Sequence, residues 1–112
     1  MENNEGELQP TISSMNRSIE SIPLILKEQI HRLTFPADEV LADANARSKR
    51  IKELHKATSI GNLLHDKVEI LFEDQEGVKR VHTTIWAIAQ RKVFLKDHRT
   101  IPISRIHSVA FY

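Results

Sequence analysis

Cysteine is absent from this chain of 112 residues. Its absence excludes disulfide bonds and thiol chemistry, and it suits a reducing compartment. No apolar run approaches the roughly 18 residues that a membrane-spanning helix needs, so we expect no membrane insertion. The first residues, Met1 to Glu5, are acidic, whereas a secretory signal peptide begins with a positive region and then turns apolar. We therefore expect a cytoplasmic protein.

Aromatic residues are also few, and the net charge is small. Aromatic side chains make up 5% of the chain, with a single tryptophan, and the formal net charge is +1. A chain so close to neutrality is not a strong polyanion binder as a whole. The hydrophobic content of 40% is sufficient for the core of one small domain.

Motifs for metals, cofactors and catalysis are missing as well. The six histidines are widely spaced and no cysteine accompanies them, whereas zinc ligands are usually paired at short spacing. His82, Thr83 and Thr84 adjoin, but no acid stands in a recognisable relation to them, and both threonines suit a strand. We therefore expect no metal site, no cofactor and no enzymatic activity.

The C-terminal stretch, residues 63–112, has the pattern of a small β-domain. Val68, Ile70 and Phe72 alternate with polar residues, as in a half-buried strand. Pro102 cannot donate a ladder hydrogen bond, which places it at a sheet edge. Because closure removes exposed edges, a sheet this small is expected to close into a five-stranded antiparallel SH3-like or Sm-like barrel. The expected strands are 67–73, 78–89, 93–96, 100–103 and 106–112.

Several motifs in this stretch carry a resemblance to known proteins. They are Gly61-Asn62, Lys67-Val68, Phe72-Glu73-Asp74, Thr83-Thr84-Ile85-Trp86, Val93-Phe94-Leu95-Lys96 and Ile101-Pro102-Ile103. Over about residues 60–112 the chain resembles a family of small bacterial proteins of unassigned function, and its element order looks like the Sm-like pattern. The resemblance implies a fold and no activity.

The chain departs from the RNA-binding Sm pattern in two places. Those proteins carry an aspartate and an asparagine near the loop between strands two and three, where this chain has residues 89–92, Ala-Gln-Arg-Lys. They also carry an Arg-Gly pair near strand four, where this chain has Ile103-Ser104-Arg105. No RNA-contacting residue is therefore transferred by resemblance.

The N-terminal half is expected to be a tail followed by helices, which makes the fold class α+β. Residues 1–17 are polar and acidic without a period, which is typical of a disordered tail. Residues 18–62 are predicted to form two helices with a break near residues 34–36. The first carries an apolar stripe that includes Ile22, Leu26 and Ile30. The second begins at Pro36 and stops near Gly61.

Two surfaces are candidates for binding. The first surface is basic and could bind the phosphates of a nucleic acid. The alternative interpretation is that these residues are ordinary solvated charges. The candidate nucleic-acid-binding residues are Arg47, Lys49, Arg50, Lys52, Arg91, Lys92 and Arg105. The other is apolar, formed by Trp86, Ile88, Phe94 and Phe111. The first helix could cover it as core; otherwise it is an interface.

Two functions remain open from the sequence. The first is a non-enzymatic binding module for nucleic acid, in particular RNA, with a regulatory role. The alternative is a protein–protein adaptor or an oligomerising structural protein that uses the apolar surface.

Overall fold

The computed structural model describes residues 21–112, which form one α-helix beside two β-sheets. The helix, α1, spans Ala44–Leu64. The strands are β1 (Leu24–Ile25), β2 (Val68–Asp74), β3 (Gly77–Thr83), β4 (Ile85–Ala89), β5 (Lys92–Leu95), β6 (Thr100–Pro102) and β7 (Ile106–Phe111). Short 3-10 helices lie at Lys27–Arg32 and Ile103–Arg105, and Lys96–His98 forms a turn whose backbone is not helical at Asp97.

The prediction of a closed SH3-like or Sm-like barrel is wrong, because the strands form two open sheets. The larger sheet has the order β1-β3-β2-β7 and is mixed, since β1 runs parallel to β3. The smaller sheet is antiparallel with the order β4-β5-β6. The predicted long strand over residues 78–89 breaks at Thr84, so that β3 belongs to one sheet and β4 to the other.

Helix α1 contacts both β7 and β4. The Arg50 guanidinium donates to the Ile106 carbonyl oxygen at 2.9 Å, and Gly61 packs against the Ile85 backbone. Leu54 and Ala57, from the same face of α1, are buried with side chains of both sheets in one core. Helix α1 packs against these strands and covers apolar side chains that would lie inside the barrel if the sheet closed on itself.

The predicted first helix, residues 18–33, is also wrong over the residues that are described. From Ser21 to Leu33 the chain forms β1 and a 3-10 helix instead. The Arg80 backbone amide donates to the Pro23 carbonyl oxygen at 2.8 Å, so this segment covers the edge of β3. An uncovered strand edge is unfavourable, and satisfying it outweighs the helical pattern. Residues 18–20 and the predicted tail, 1–17, lie outside the described residues.

The second helix exists but begins later than predicted. Its N-cap is Asp43, whose side chain accepts a hydrogen bond from the Ala46 amide at 3.0 Å. Asp38 and Glu39, which would lie in the first turn of a helix that begins at Pro36, instead pair with buried arginines. Helix α1 ends at Leu64, and the C-cap residue His65 has the left-handed conformation with φ 58°. Within residues 21–112 no helix combines the length and apolarity needed to cross a bilayer.

The β2–β3 hairpin is fixed by a buried carboxylate. Asp74 accepts hydrogen bonds from the amides of Glu76 and Gly77 and from the Lys79 ammonium, the last at 2.8 Å. Burial alone raises the pKa of Asp74, but these donors outweigh it and leave the pKa lowered. Gly77 has φ 145°, a conformation that glycine adopts freely.

Candidate functional site

A β-bulge in β4 turns Trp86 outward. Ile85 pairs with Leu95 and Ala87 pairs with Phe94, so Trp86 is the extra residue between them. Bulges reorient side chains in this way and often lie near functional sites. The Trp86 side chain is 47% exposed, and the buried side of the same strands carries Ile85 and Leu95.

Trp86 lines a groove of about 420 Å³ on the outer face of the smaller sheet. We call this surface the aromatic groove, defined by Trp86, Ala87, Phe94, Leu95, Lys96, Asp97 and His98. Its floor is apolar, and its rim is the turn after β5, Lys96–His98. That turn is tightly bent, because Asp97 and His98 both have positive φ, at 72° and 66°.

The rim carries net positive charge. The Asp97 carboxylate lies 3.5 Å from the Lys27 ammonium and 3.8 Å from the Arg99 guanidinium. Lys96 is exposed and takes part in none of the ion pairs among residues 21–112. The one carboxylate is therefore neutralised, while Lys96 remains available to an anionic group.

The predicted apolar surface divides among three places. Trp86 and Phe94 share the aromatic groove. Ile88 pairs with Val93 and packs against the core, on the opposite face from Trp86, because the bulge shifts the alternation by one residue. Phe111 lies at the end of β7 with the Lys56 ammonium 4.8 Å from its ring centroid. Since Trp86 is half exposed, no described residue covers the groove as the first helix was expected to do.

Three of the predicted nucleic-acid-binding residues are engaged inside the protein. Arg50 makes a two-pronged ion pair with Glu39, with both N–O distances at 2.7 Å. Arg105 donates to the Glu73 carbonyl oxygen and to Asp38. Arg47 donates to two carbonyl oxygens just before α1. Their guanidinium groups hold the loop before α1, and phosphate binding would compete with those bonds.

The other four, Lys49, Lys52, Arg91 and Lys92, are exposed. Lys49 and Lys52 lie on the outer side of α1, together with Lys56, spread over about 10 Å of helix. We call these three the lysine stripe. No ion pair among residues 21–112 involves any of them. Arg91 and Lys92 lie at the β4–β5 turn.

Two histidines pair with glutamates on the outer face of the larger sheet. His82 Nε2 lies 2.7 Å from Glu69, and His107 Nε2 lies 2.9 Å from Glu73. Neither pair adjoins a third ligand, and the described part of the chain contains no cluster of three or more potential metal ligands. These contacts are cross-strand pairs, which stabilise a sheet modestly.

Of the turn residues in this groove, Asp97 and His98 were not predicted as site residues from the sequence. The sequence indicates a turn between the expected strands 93–96 and 100–103, and the charged residues of that turn were the available signal. Nothing in the sequence locates the bulge at Trp86, which brings these residues and the tryptophan to one face.

Comparisons of the chain with protein-family models, with curated proteins and with solved structures give no match in any of the three. The resemblance to small bacterial proteins therefore stays a prediction.

Proposed function

We propose that this protein is a non-enzymatic, cytoplasmic binding module that holds a peptide segment of a partner protein in the aromatic groove. The peptide presents an apolar side chain next to a carboxylate. One observation carries the proposal: the sole tryptophan, Trp86, is 47% exposed over an open apolar groove. Contiguous exposed apolar surface often marks a site where a partner binds.

The floor of the groove selects the apolar part of the peptide. Trp86, Ala87 and Phe94 offer apolar surface and no charge. Tryptophan is enriched among the residues that dominate binding energy at interfaces, where it packs against a partner's side chain. An aliphatic or aromatic side chain that displaces water from this floor gains the burial of apolar area on both partners.

The rim selects the carboxylate. Lys27 and Arg99 already neutralise Asp97, whereas Lys96 has no acidic partner among the described residues. An Asp or Glu side chain of the peptide would meet Lys96 at the edge of the floor. Such a rim contact mainly sets orientation and association rate.

The groove is held rigidly from behind. Ile85, Val93 and Leu95 point into the core from the strands that form the floor, and all three are buried. A preformed site loses little conformational entropy on binding, which favours affinity.

The test is a selection from a random peptide library on the purified protein, with affinities of selected peptides measured by calorimetry. We expect selected peptides to share an apolar residue beside Asp or Glu. Trp86→Ser is expected to weaken their binding about 30-fold or more, since a central tryptophan contributes about 2 kcal/mol or more at an interface. Lys96→Gln is expected to weaken it less.

The matched control is Leu63→Ser. It also replaces an exposed apolar side chain by serine, but Leu63, 79% exposed, lies near the C-terminal end of α1 and outside the groove. It should leave peptide binding unchanged. Selection of peptides without an acidic residue, or equal loss in Trp86→Ser and Leu63→Ser, would contradict the proposal. Self-association that depends on Trp86 would identify a second copy as the occupant instead.

A second candidate function is nucleic-acid binding, in particular RNA, through the lysine stripe. Its support is that Lys49, Lys52 and Lys56 project from one side of α1 without acidic partners among residues 21–112. Unpaired lysines bind phosphates by releasing counterions. The Lys56 ammonium lies over the ring of Phe111, which is 36% exposed, so an aromatic side chain of the kind that stacks on bases adjoins the stripe.

This candidate is tested by the anisotropy of a fluorescent single-stranded RNA over a series of salt concentrations. The variant Lys49→Gln with Lys52→Gln should reduce the slope of log affinity against log salt by about 1.4, at about 0.7 per lost phosphate contact. The control, Arg32→Gln with Lys67→Gln, removes the same charge elsewhere and should leave the slope unchanged. Equal effects would show non-specific attraction and exclude the stripe.

A further inference from the structure

A second cleft lies on the other side of the turn that borders the aromatic groove. It has a volume of about 300 Å³ and runs between the first 3-10 helix and β6. We call it the arginine cleft, lined by Ile30, His31, Leu33, Phe35, His98, Arg99 and Thr100. Its size is at the lower end of the range of about 300–1,000 Å³ for ligand sites, which suits a small molecule.

We propose that the arginine cleft binds a small organic carboxylate whose apolar part rests on the cleft floor. The cleft shares His98 with the aromatic groove, but its carboxylate would be held by Arg99 and not by Lys96. Arg99 is the residue that would hold the carboxylate, and the apolar floor would hold the remainder of the molecule.

The floor is apolar and fixed. Ile30 is buried in the core, and Leu33 and Phe35 pack against it. The Phe35 ring lies 6.0 Å from the buried Phe72 ring, in a tilted arrangement. Paired rings of this geometry stabilise each other, so Phe35 presents a defined surface to the cleft.

The polar side of the cleft consists of hydrogen-bond donors and lacks an acid. His31, His98, Arg99 and Thr100 supply it, and no carboxylate is among its lining residues. A guanidinium can grip a carboxylate with two parallel N–H donors, which a lysine cannot do. This donor set therefore favours an anion over a cation or a neutral ligand.

Arg99 is incompletely satisfied by the protein. Its only acidic neighbour among residues 21–112 is Asp97 at 3.8 Å, a distance beyond a strong hydrogen bond. Asp97 also lies closer to Lys27, at 3.5 Å. The buried Arg99 Nε has no hydrogen-bond partner among the described residues. Among the described residues the terminal nitrogens of Arg99 pair only with Asp97, and they are the donors that would bind the carboxylate.

The backbone that carries these donors is strained. Asp97 and His98 are consecutive non-glycine residues with positive φ, which is energetically unfavourable. The conformation places His98 on the border of both grooves. Strain of this kind is concentrated at ligand sites, which agrees with the assignment of the cleft.

The experiment is an NMR titration of the full-length protein with sodium benzoate, using backbone amide shifts. We expect saturable shifts confined to residues 30–35 and 98–100. Benzamide, a neutral molecule of the same shape, should bind at least about ten-fold more weakly, because hydrogen bonds to charged groups are the stronger ones. A parallel titration uses N-acetylphenylalanine, which resembles the C-terminus of a peptide. Tighter binding of N-acetylphenylalanine would identify a peptide C-terminus as the ligand, and tighter binding of benzoate a free small carboxylate.

Two variants locate the effect. Arg99→Met keeps the length of the side chain and should weaken benzoate binding about ten-fold or more. Arg32→Met removes the same charge from an exposed neighbouring position and should not. Equal binding by benzamide, shifts outside the cleft, or equal loss in both variants would overturn the proposal. If Arg99→Met does not fold, the wild-type shift map and the benzamide comparison still decide.

Discussion

Arg50 and Arg105 are arginines whose side chains are only 5% exposed. Buried guanidinium groups are tolerated only when paired, and both find their partners in the loop before α1, at Glu39 and Asp38. Glu39 shows the effect most clearly. Its hydrogen bonds from Arg50 outweigh its partial burial and, with help from the Leu41 amide, lower its pKa from 4.5 to about 2.

Glu39 therefore predicts a pH dependence of stability. A carboxylate with a lowered pKa in the folded state contributes stability that is present above its unfolded pKa of 4.5 and is lost as the pH falls towards 2. Glu39→Gln should lower the free energy of unfolding at pH 7 by about 1.5–3 kcal/mol, since it removes a charged hydrogen-bond partner. Urea unfolding at pH 7 and at pH 3 measures both effects.

The same variant should also lose less stability on acidification than the wild type. The pKa of Asp74 is lowered as well, so some loss below pH 4 remains in the variant. An unchanged difference between pH 7 and pH 3 would mean that the Arg50–Glu39 pair does not form in solution.

Helix α1 depends on one close approach to β4. A Cβ atom at Gly61 would overlap the Ile85 carbonyl oxygen and crowd the Thr84 side chain. Glycine inside a helix is ordinarily less favourable than alanine by about 1 kcal/mol, so its presence here reflects packing.

Gly61→Ala should therefore destabilise the protein rather than stabilise it. We expect a loss of about 1–3 kcal/mol, the usual effect of overpacking. Ser59→Ala, an exposed position of the same helix, is the control and should be neutral or slightly stabilising. Thermal unfolding of both variants measures the difference. A more stable Gly61→Ala would show that α1 does not contact β4 as described.

Elements with a strong local pattern could be predicted from the sequence. The alternation of Val68, Ile70 and Phe72 predicted β2, and Pro102 lies on an edge strand, β6, as expected. The segment 21–33 could not be predicted, because its apolar spacing is helical while the edge of β3 imposes extended backbone at Leu24–Ile25. Such tertiary contacts override local propensity.

The candidate site was predictable in part. An apolar surface that includes Trp86 and Phe94 was predicted from the sequence. The separation of Ile88 from this surface was not predicted. The one-residue bulge at Trp86 reverses which face the following side chains point to, and the sequence does not show where that bulge lies. The engagement of Arg50 and Arg105 also depends on partners distant in sequence, Ile106 and Asp38.

The whole molecule presents its two candidate surfaces separately. The aromatic groove lies on the outside of the smaller sheet, and the lysine stripe lies on the outside of α1. The surfaces share no residue, and the core lies between the sheets and the helix. Substitutions in one surface should therefore leave the function of the other intact, which makes the two proposed functions separable.

The most direct measurement uses the fluorescence of Trp86, the only tryptophan in the chain. The emission of the wild-type protein is recorded while a library-selected peptide is added, with binding followed in parallel by calorimetry. Occupation of the aromatic groove should shift the emission to shorter wavelength and saturate at the calorimetric stoichiometry, because the half-exposed indole loses water contact. Calorimetric binding without any change in emission would place the peptide elsewhere and contradict the proposed function.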